Sequence, residues 1–395
     1  MSPTTLLWLI AGCLMLQPLS TDLYLASLPH LATDFGVTPA TVQQTLSLFV
    51  IGFGVAQLVS GPLSDRFGRR PVLLSGLGVY IAASLACALA PSLNLLIIAR
   101  FVQAIGCCTA AVVARALIRD AFTPTEGAKV MAKASSLLSL APIIGPVLGG
   151  YLQVWFGWRA AFFFHTFFCI ALAVAAWRLL KETNLHRNPD AVRPRNLIAG
   201  YRRIASADFF WAYTLPGALS YAAIFTFISG SSFVLINVLG VPTDIYGYCF
   251  AFGVSGYLIG TLVCRRLLSS IGLVRTLTVG TALSLFSGLL FAALVLAGIE
   301  HWTVVVGCLF LTMGAHGINF PCAQTGAVAP FPREAGAAAG LLGFCTMCAA
   351  LMTGTWVGMS HDGTLMPLAL TSASIGVLLF GSAWALRHRR TTAIA

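Results

Sequence analysis

The sequence predicts an all-α membrane protein whose twelve transmembrane helices form two pseudo-symmetric halves of six. Three observations predict it. Of the 395 residues, 58% are hydrophobic and only 9% are charged, against about 25% charged in soluble domains. Twelve apolar segments reach the roughly 20 residues that a helix needs to cross the hydrocarbon. The longest polar stretch, KETNLHRNPDAVRPRNLIAGYRRIASAD, falls between the sixth and the seventh. It divides the chain into an N-terminal half (1–183), a linker (184–206) and a C-terminal half (207–395).

The segments are 5–29, 41–64, 71–90, 93–118, 128–153, 160–180, 209–238, 246–267, 274–298, 302–325, 336–359 and 365–386. No Lys or Arg precedes the first apolar run, so it reads as the first membrane helix and not as a cleaved signal. The charges set the topology. All Lys and Arg except Arg100 and Arg159 lie in or around even-numbered connections or at the C-terminus, which puts both termini in the cytoplasm by the positive-inside rule. The net charge of +11 is thereby a set of topology determinants, and nucleic acid is not needed to explain it. Most of the cysteines lie in apolar runs and read as small buried side chains. The Cys345-x-x-Cys348 pair has no second pair or histidine at metal spacing, so no metal site is expected.

The acids sort as sharply. Asp34, Asp244, Glu300 and Asp362 fall in outer connections, and Asp65, Asp120, Glu126, Glu182, Asp190, Asp208 and Glu334 at or beyond the inner edge. Only Asp22 remains within a span, in LQPLSTDLYLASLP, where a carboxylate costs roughly 2.5–3.5 kcal/mol. Once the bases around the inner-edge loops are set aside, Arg100 alone remains inside the membrane. Asp22 lies seven residues before Pro29 and Arg100 seven residues after Leu93, so at 1.5 Å per residue both sit roughly 10 Å below the outer surface. Equal depth predicts that the two charges share a polar space between segments 1 and 4.

GPLSDRFGRRP, residues 61–71, joins segments 2 and 3; Gly61 and Gly68 suit a close approach and a sharp turn, and Pro71 suits a first helical turn. A tight basic loop explains its arginines but not Asp65. This motif resembles the loop signature of the major facilitator superfamily, which implies that fold and transport by alternating access. The resemblance implies a cytoplasmic latch of Gly61, Asp65, Arg69 and Asp120, with Asp65 docking at the start of helix 11. A faded copy, GTLVCRRLLSSIG, has Cys264 in the place of the acid, so the second latch is expected to be incomplete.

APIIGPVLGG, residues 141–150, carries Pro146, which bends a helix, and Gly145, Gly149 and Gly150, which flatten a face for close packing. It resembles the G-P-x-x-G-G signature of drug/proton antiporters. With Gly253, Gly256 and Gly260 of FGVSGYLIG as the complementary face, it predicts a rocking interface between helices 5 and 8. In ARFVQAIG, Arg100 and Gln103 lie one turn apart, resembling the helix-4 signature of proton-coupled members.

Together with STDLYLASLP these motifs resemble the bicyclomycin- and chloramphenicol-resistance branch (Bcr/CflA). The resemblance implies proton-coupled export of lipophilic drugs such as phenicols from an inner bacterial membrane by a monomer. Protons are the coupling ion and no cofactor is expected. Asp22 and Arg100 are the expected coupling pair. Gln57, Gln103, Tyr221, Phe225, Asn237, Tyr257, His316 and Asn319, with that pair, are the expected substrate contacts, each also open to a plain packing role. His165 reads first as a structural histidine and second as a proton carrier. A proton-coupled carrier of a natural metabolite is the alternative. A single intramembrane acid argues against an enzyme.

Overall fold

The computed structural model describes residues 3–392 apart from 139, 185, 186 and 188; those three linker positions lie outside the described residues. The described chain is helical, with no strand among the described residues. The elements are α1 (Pro3–Asp22), α2 (Leu28–Phe35), α3 (Pro39–Phe67), α4 (Arg69–Ala88), α5 (Leu93–Ala121), α6 (Pro124–Leu138), α7 (Ala141–Phe156) and α8 (Arg159–Leu179). After the linker helix α9 (Pro194–Ala205) come α10 (Asp208–Ser232), α11 (Thr243–Leu296), α12 (Trp302–Val328), α13 (Ala335–Ser360) and α14 (Met366–Thr392).

Twelve crossings result, but three are built otherwise than their hydropathy predicts. The first is α1 and α2 joined through a short 3-10 turn, Leu25–Ser27. Ser20 and Thr21 turn their hydroxyls back onto the carbonyls of Leu16, Gln17 and Pro18, a competition that bends helices. Pro29, at the start of α2, then has no N–H to continue the ladder. The fifth crossing is α6 followed by α7. The eighth and ninth run together as α11, interrupted only at Gly272, whose φ of 75° is the left-handed conformation that favours glycine.

Within the N-terminal half α5 packs on α3 and α4, and α4 on α8; in the other half α11 packs on α12 and α14, and α10 on α12 and α14. The halves meet along α3 with α13 and α7 with α11. We call the side that carries the basic connections the basic end and its opposite the far end. The far end is closed. His30 meets Thr243 at 3.1 Å and Tyr151 meets Tyr248 at 3.0 Å, while Gly358 of α13 lies against Ala40 and Gln43 of α3.

Candidate transport site

Asp22 is the last residue of α1, at the break, and is 5% exposed. A discontinuous helix with a charged group at its broken end is how many transporters build a site at membrane depth. The carboxylate accepts from the Thr21 hydroxyl at 2.9 Å. It lies near enough to Tyr221 of α10 and Tyr246 of α11 to act on them electrostatically. The end of α1 before the break is held by His165 of α8, whose Nε2 donates to the Leu19 carbonyl at 3.1 Å, and by a 2.6 Å bond between Ser20 and Tyr80.

The glycines of the fifth crossing fit this break. A Cβ on Gly145 would stand 3.4 Å from that of Asp22, and one on Gly149 would collide with the Leu23 carbonyl. Only Gly150 of the three faces the opposite half, at the Thr243 carbonyl, and Gly247 returns the contact against Pro146 and Val147. The predicted partners Gly253, Gly256 and Gly260 do not face α7. They pack on Leu309, Phe310 and Gly314 of α12. The reason is geometric: one run of glycines three or four apart covers a single helix face, and that face is turned inside its own half.

Arg100 is fully buried but forms no ion pair with Asp22, contrary to the expectation from depth. Its guanidinium stacks over Phe49 at 4.2 Å, Tyr24 at 5.1 Å and Phe162 at 5.7 Å, a cation–π arrangement strengthened by burial. Nη1 donates to Gln103 Oε1 at 2.6 Å, and Gln103 Nε2 donates onward to Ser84 at 2.7 Å. Nε and Nη2 have no protein partner. Position along the two segments thus matches, but rotation separates the charges. Asp22 faces α7 and the second half, and Tyr24, beyond the turn, faces Arg100.

The second half supplies an aromatic cluster. His316 of α12 bonds Ser220 through Nδ1 at 2.9 Å. Around its ring stand Phe320 at 5.2 Å, Tyr257 at 5.9 Å and Tyr221 at 6.0 Å, and Tyr221 stacks in turn on Phe225. Four of the predicted contacts therefore form one cluster, of which Tyr221 is the member nearest Asp22. Three do not. Asn319 turns to α11, donating to Ser284 at 3.1 Å with Gly280 making room. Asn237 is exposed in the π-helical turn Phe233–Val238 that ends the seventh crossing. Gln57 is wedged at the α3/α13 seam against Gly343. Two glutamines passed over in the sequence are also buried or bonded within the bundle. Gln17 reaches Tyr221. Gln43, 1% exposed with neither amide atom partnered, lines a small cavity of about 20 Å³ with Ser229, Phe233 and His361. Their only signal was polarity within an apolar run.

At the basic end, Arg69 pairs with Asp65 at 2.6 Å and Asp120 at 2.7 Å, and also donates to Ser64. Glu182 completes the group: its oxygens accept the backbone N–H groups of Arg69 and Arg70 that open α4. Gly68, with φ 103°, leaves the space that this carboxylate fills. Gly61 has ordinary room, its Cβ position meeting only Val112 at 3.9 Å. Asp65 keeps its side chain 41% exposed and bonds Arg69, with no recorded bond to the start of α13. Cys264, in the faded copy, contacts Ile318 and Cys322 inside its own half.

The model of one transporter family, the Major Facilitator Superfamily, matches residues 10–355. The chain belongs to that superfamily. It is accordingly a transporter and not an enzyme. As a superfamily member it is 27% identical over 92% of its length to a bicyclomycin resistance protein homolog of Haemophilus influenzae, covering 91% of that protein. It is 27% identical to the multidrug resistance protein MdtL of Klebsiella pneumoniae, over 92% and 90% of the two chains. A chloramphenicol resistance protein of Pseudomonas aeruginosa is 34% identical over 60% of this chain and 56% of that one. These similarities agree with the Bcr/CflA resemblance of the motifs. A D-xylose–proton symporter superposes with a TM-score of 0.74 at 14% identity, over 97% and 96% of the chains, which speaks for the fold alone.

Proposed function

We propose that this superfamily member exports lipophilic drugs across a bacterial inner membrane in exchange for protons, with both termini in the cytoplasm. The observation that carries the reading is Asp22. It is the one acid the sequence places within a span, it sits at a helix break, and Tyr221, which belongs to an aromatic cluster with Phe225, Tyr257 and His316, lies near it. The names of the relatives support drugs as the cargo class.

In this scheme the drug binds from the basic end against the aromatic cluster and displaces the proton on Asp22. A single carboxyl group serves both, so drug and proton compete. The halves then rock about the Gly150 and Gly247 contacts, the far end opens, the drug leaves, and a proton returns to Asp22. Arg100 holds Tyr24 beyond the break and does not pair with this acid. A neutral or weakly charged drug suits a site with one titrating acid.

Proton movement in proteoliposomes on addition of a phenicol tests this, with wild type beside Asp22→Asn. Drug-triggered proton release in wild type and its loss in Asp22→Asn are expected. Proton release that persists in Asp22→Asn would remove Asp22 from coupling. No response in wild type would favour a metabolite as the cargo.

A further inference from the structure

Pro62 lies inside α3. It lacks the N–H that would bond the carbonyl of Leu58, four residues earlier. A backbone carbonyl left open away from water is costly, and here another part of the chain takes it. The hydroxyl of Tyr201, on the linker helix α9, donates to the Leu58 carbonyl at 2.8 Å. Tyr201 arrives there because α9 has two faces. Leu197, Gly200, Tyr201 and Ile204 are turned toward the bundle, while Arg195, Ile198, Arg202 and Arg203 are exposed.

The same helix also reaches the other half. Arg203 pairs with Glu334, just before α13 begins, and the Tyr201 hydroxyl stands 3.8 Å from where a Cβ on Gly340 of α13 would lie. One short linker helix therefore touches α3 and α13 at once, on the basic side of their shared seam. The bend that Pro62 permits falls between Gln57, at that seam, and Asp65, in the latch.

We infer that Tyr201 is a positioning residue for the transport cycle. It fills the carbonyl that Pro62 opens and, with Arg203, straps the two halves together at the spacing seen with the far end closed. Rocking changes that spacing, so one anchor must release before the far end opens. The inference rests on membership in a transporter superfamily and not on the cargo or the coupling ion.

Gln43 is buried at the closed far end, so a Gln43→Cys variant reconstituted in liposomes reports opening through its rate of reaction with a membrane-impermeant maleimide. All native cysteines are buried or half-buried, and the protein without Gln43→Cys gives the background. Tyr201→Phe should speed labelling about three- to tenfold, the range of one hydrogen bond. In a Pro62→Ala background residue 62 bonds Leu58 itself, and Tyr201→Phe should change the rate less than about twofold. Equal acceleration in both backgrounds, or none in either, would overturn the assignment. Should Pro62→Ala not fold, Arg203→Ala serves. Loss of either anchor should accelerate labelling alike and loss of both should add nothing, whereas additive effects would overturn the strap. A wild type that moves no chloramphenicol counts against the drug reading only, since labelling needs no cargo.

Discussion

The backbone of Leu23 rests on Gly149. The carbonyl exposed where helix 1 unwinds occupies the space that any side chain on Gly149 would need, and Asp22, one residue earlier, rests in the same way but less tightly on Gly145. The glycine motif of the fifth crossing is thus a seat for the broken helix that holds the buried acid, and only its last glycine belongs to the contact between halves.

That difference in room predicts a graded series. Gly149→Ala must displace the helix 1 break, an overpacking worth about 1–3 kcal/mol, and drug export should fall at least tenfold. Gly145→Ala meets Asp22 at ordinary contact distance and should keep most of its activity. Gly256→Ala, which collides with the Phe310 backbone, should lower thermal stability by disturbing the packing of α11 on α12. Transport rates and unfolding temperatures of the three purified variants check this, and equal transport in Gly149→Ala and Gly145→Ala would contradict the seat.

Asp22 and Arg100 should behave as independent residues. Arg100→Lys keeps the charge but loses the planar stack on Phe49 and the bond to Gln103, a cost of about 1–2 kcal/mol. Asp22→Asn should add to this within about 0.5 kcal/mol in a double-mutant cycle of thermal stability. A larger coupling would mean that the two charges pair after all.

Acid should loosen the latch through Glu182. Partial burial pushes its carboxyl up, but backbone N–H bonds from Asn184, Arg69, Arg70 and Thr183 outweigh this and hold it below the ordinary 4.5. A depressed carboxyl stabilises the fold fully above its unfolded value, and that contribution is lost as pH falls from about 4.5 through the folded value. Glu182→Gln should therefore lower stability by about 1 kcal/mol at pH 7, with the gap to wild type closing on acidification below pH 4.5. A gap independent of pH would remove the charge from the explanation.

Gln43 should be a residue whose loss stabilises the protein while impairing transport. Both of its buried amide atoms lack protein partners, a cost that Gln43→Leu removes at similar volume, so the unfolding temperature should rise by the equivalent of about 1 kcal/mol. An apolar seal at the far end should in turn slow turnover without changing half-saturation by drug. Faster turnover would refute the closed-gate role.

Composition, hydropathy and charge by themselves determined twelve crossings, their division into two halves and the location of the lone acid and lone base. These follow from one-dimensional rules: a bilayer has a fixed thickness, basic residues stay on one side, and each helical residue advances a fixed rise. Which way a side chain turns was not legible in this way. Asp22 and Arg100 have matching positions along their segments but face different neighbours, and Gly253, Gly256 and Gly260 face α12 instead of α7, because rotation about a helix axis is set by packing against all neighbours at once. The break after Asp22, the aromatic cage of Arg100 and the plugging of the Leu58 carbonyl by Tyr201 depend on contacts between residues far apart in the chain, and only the tertiary structure decided them.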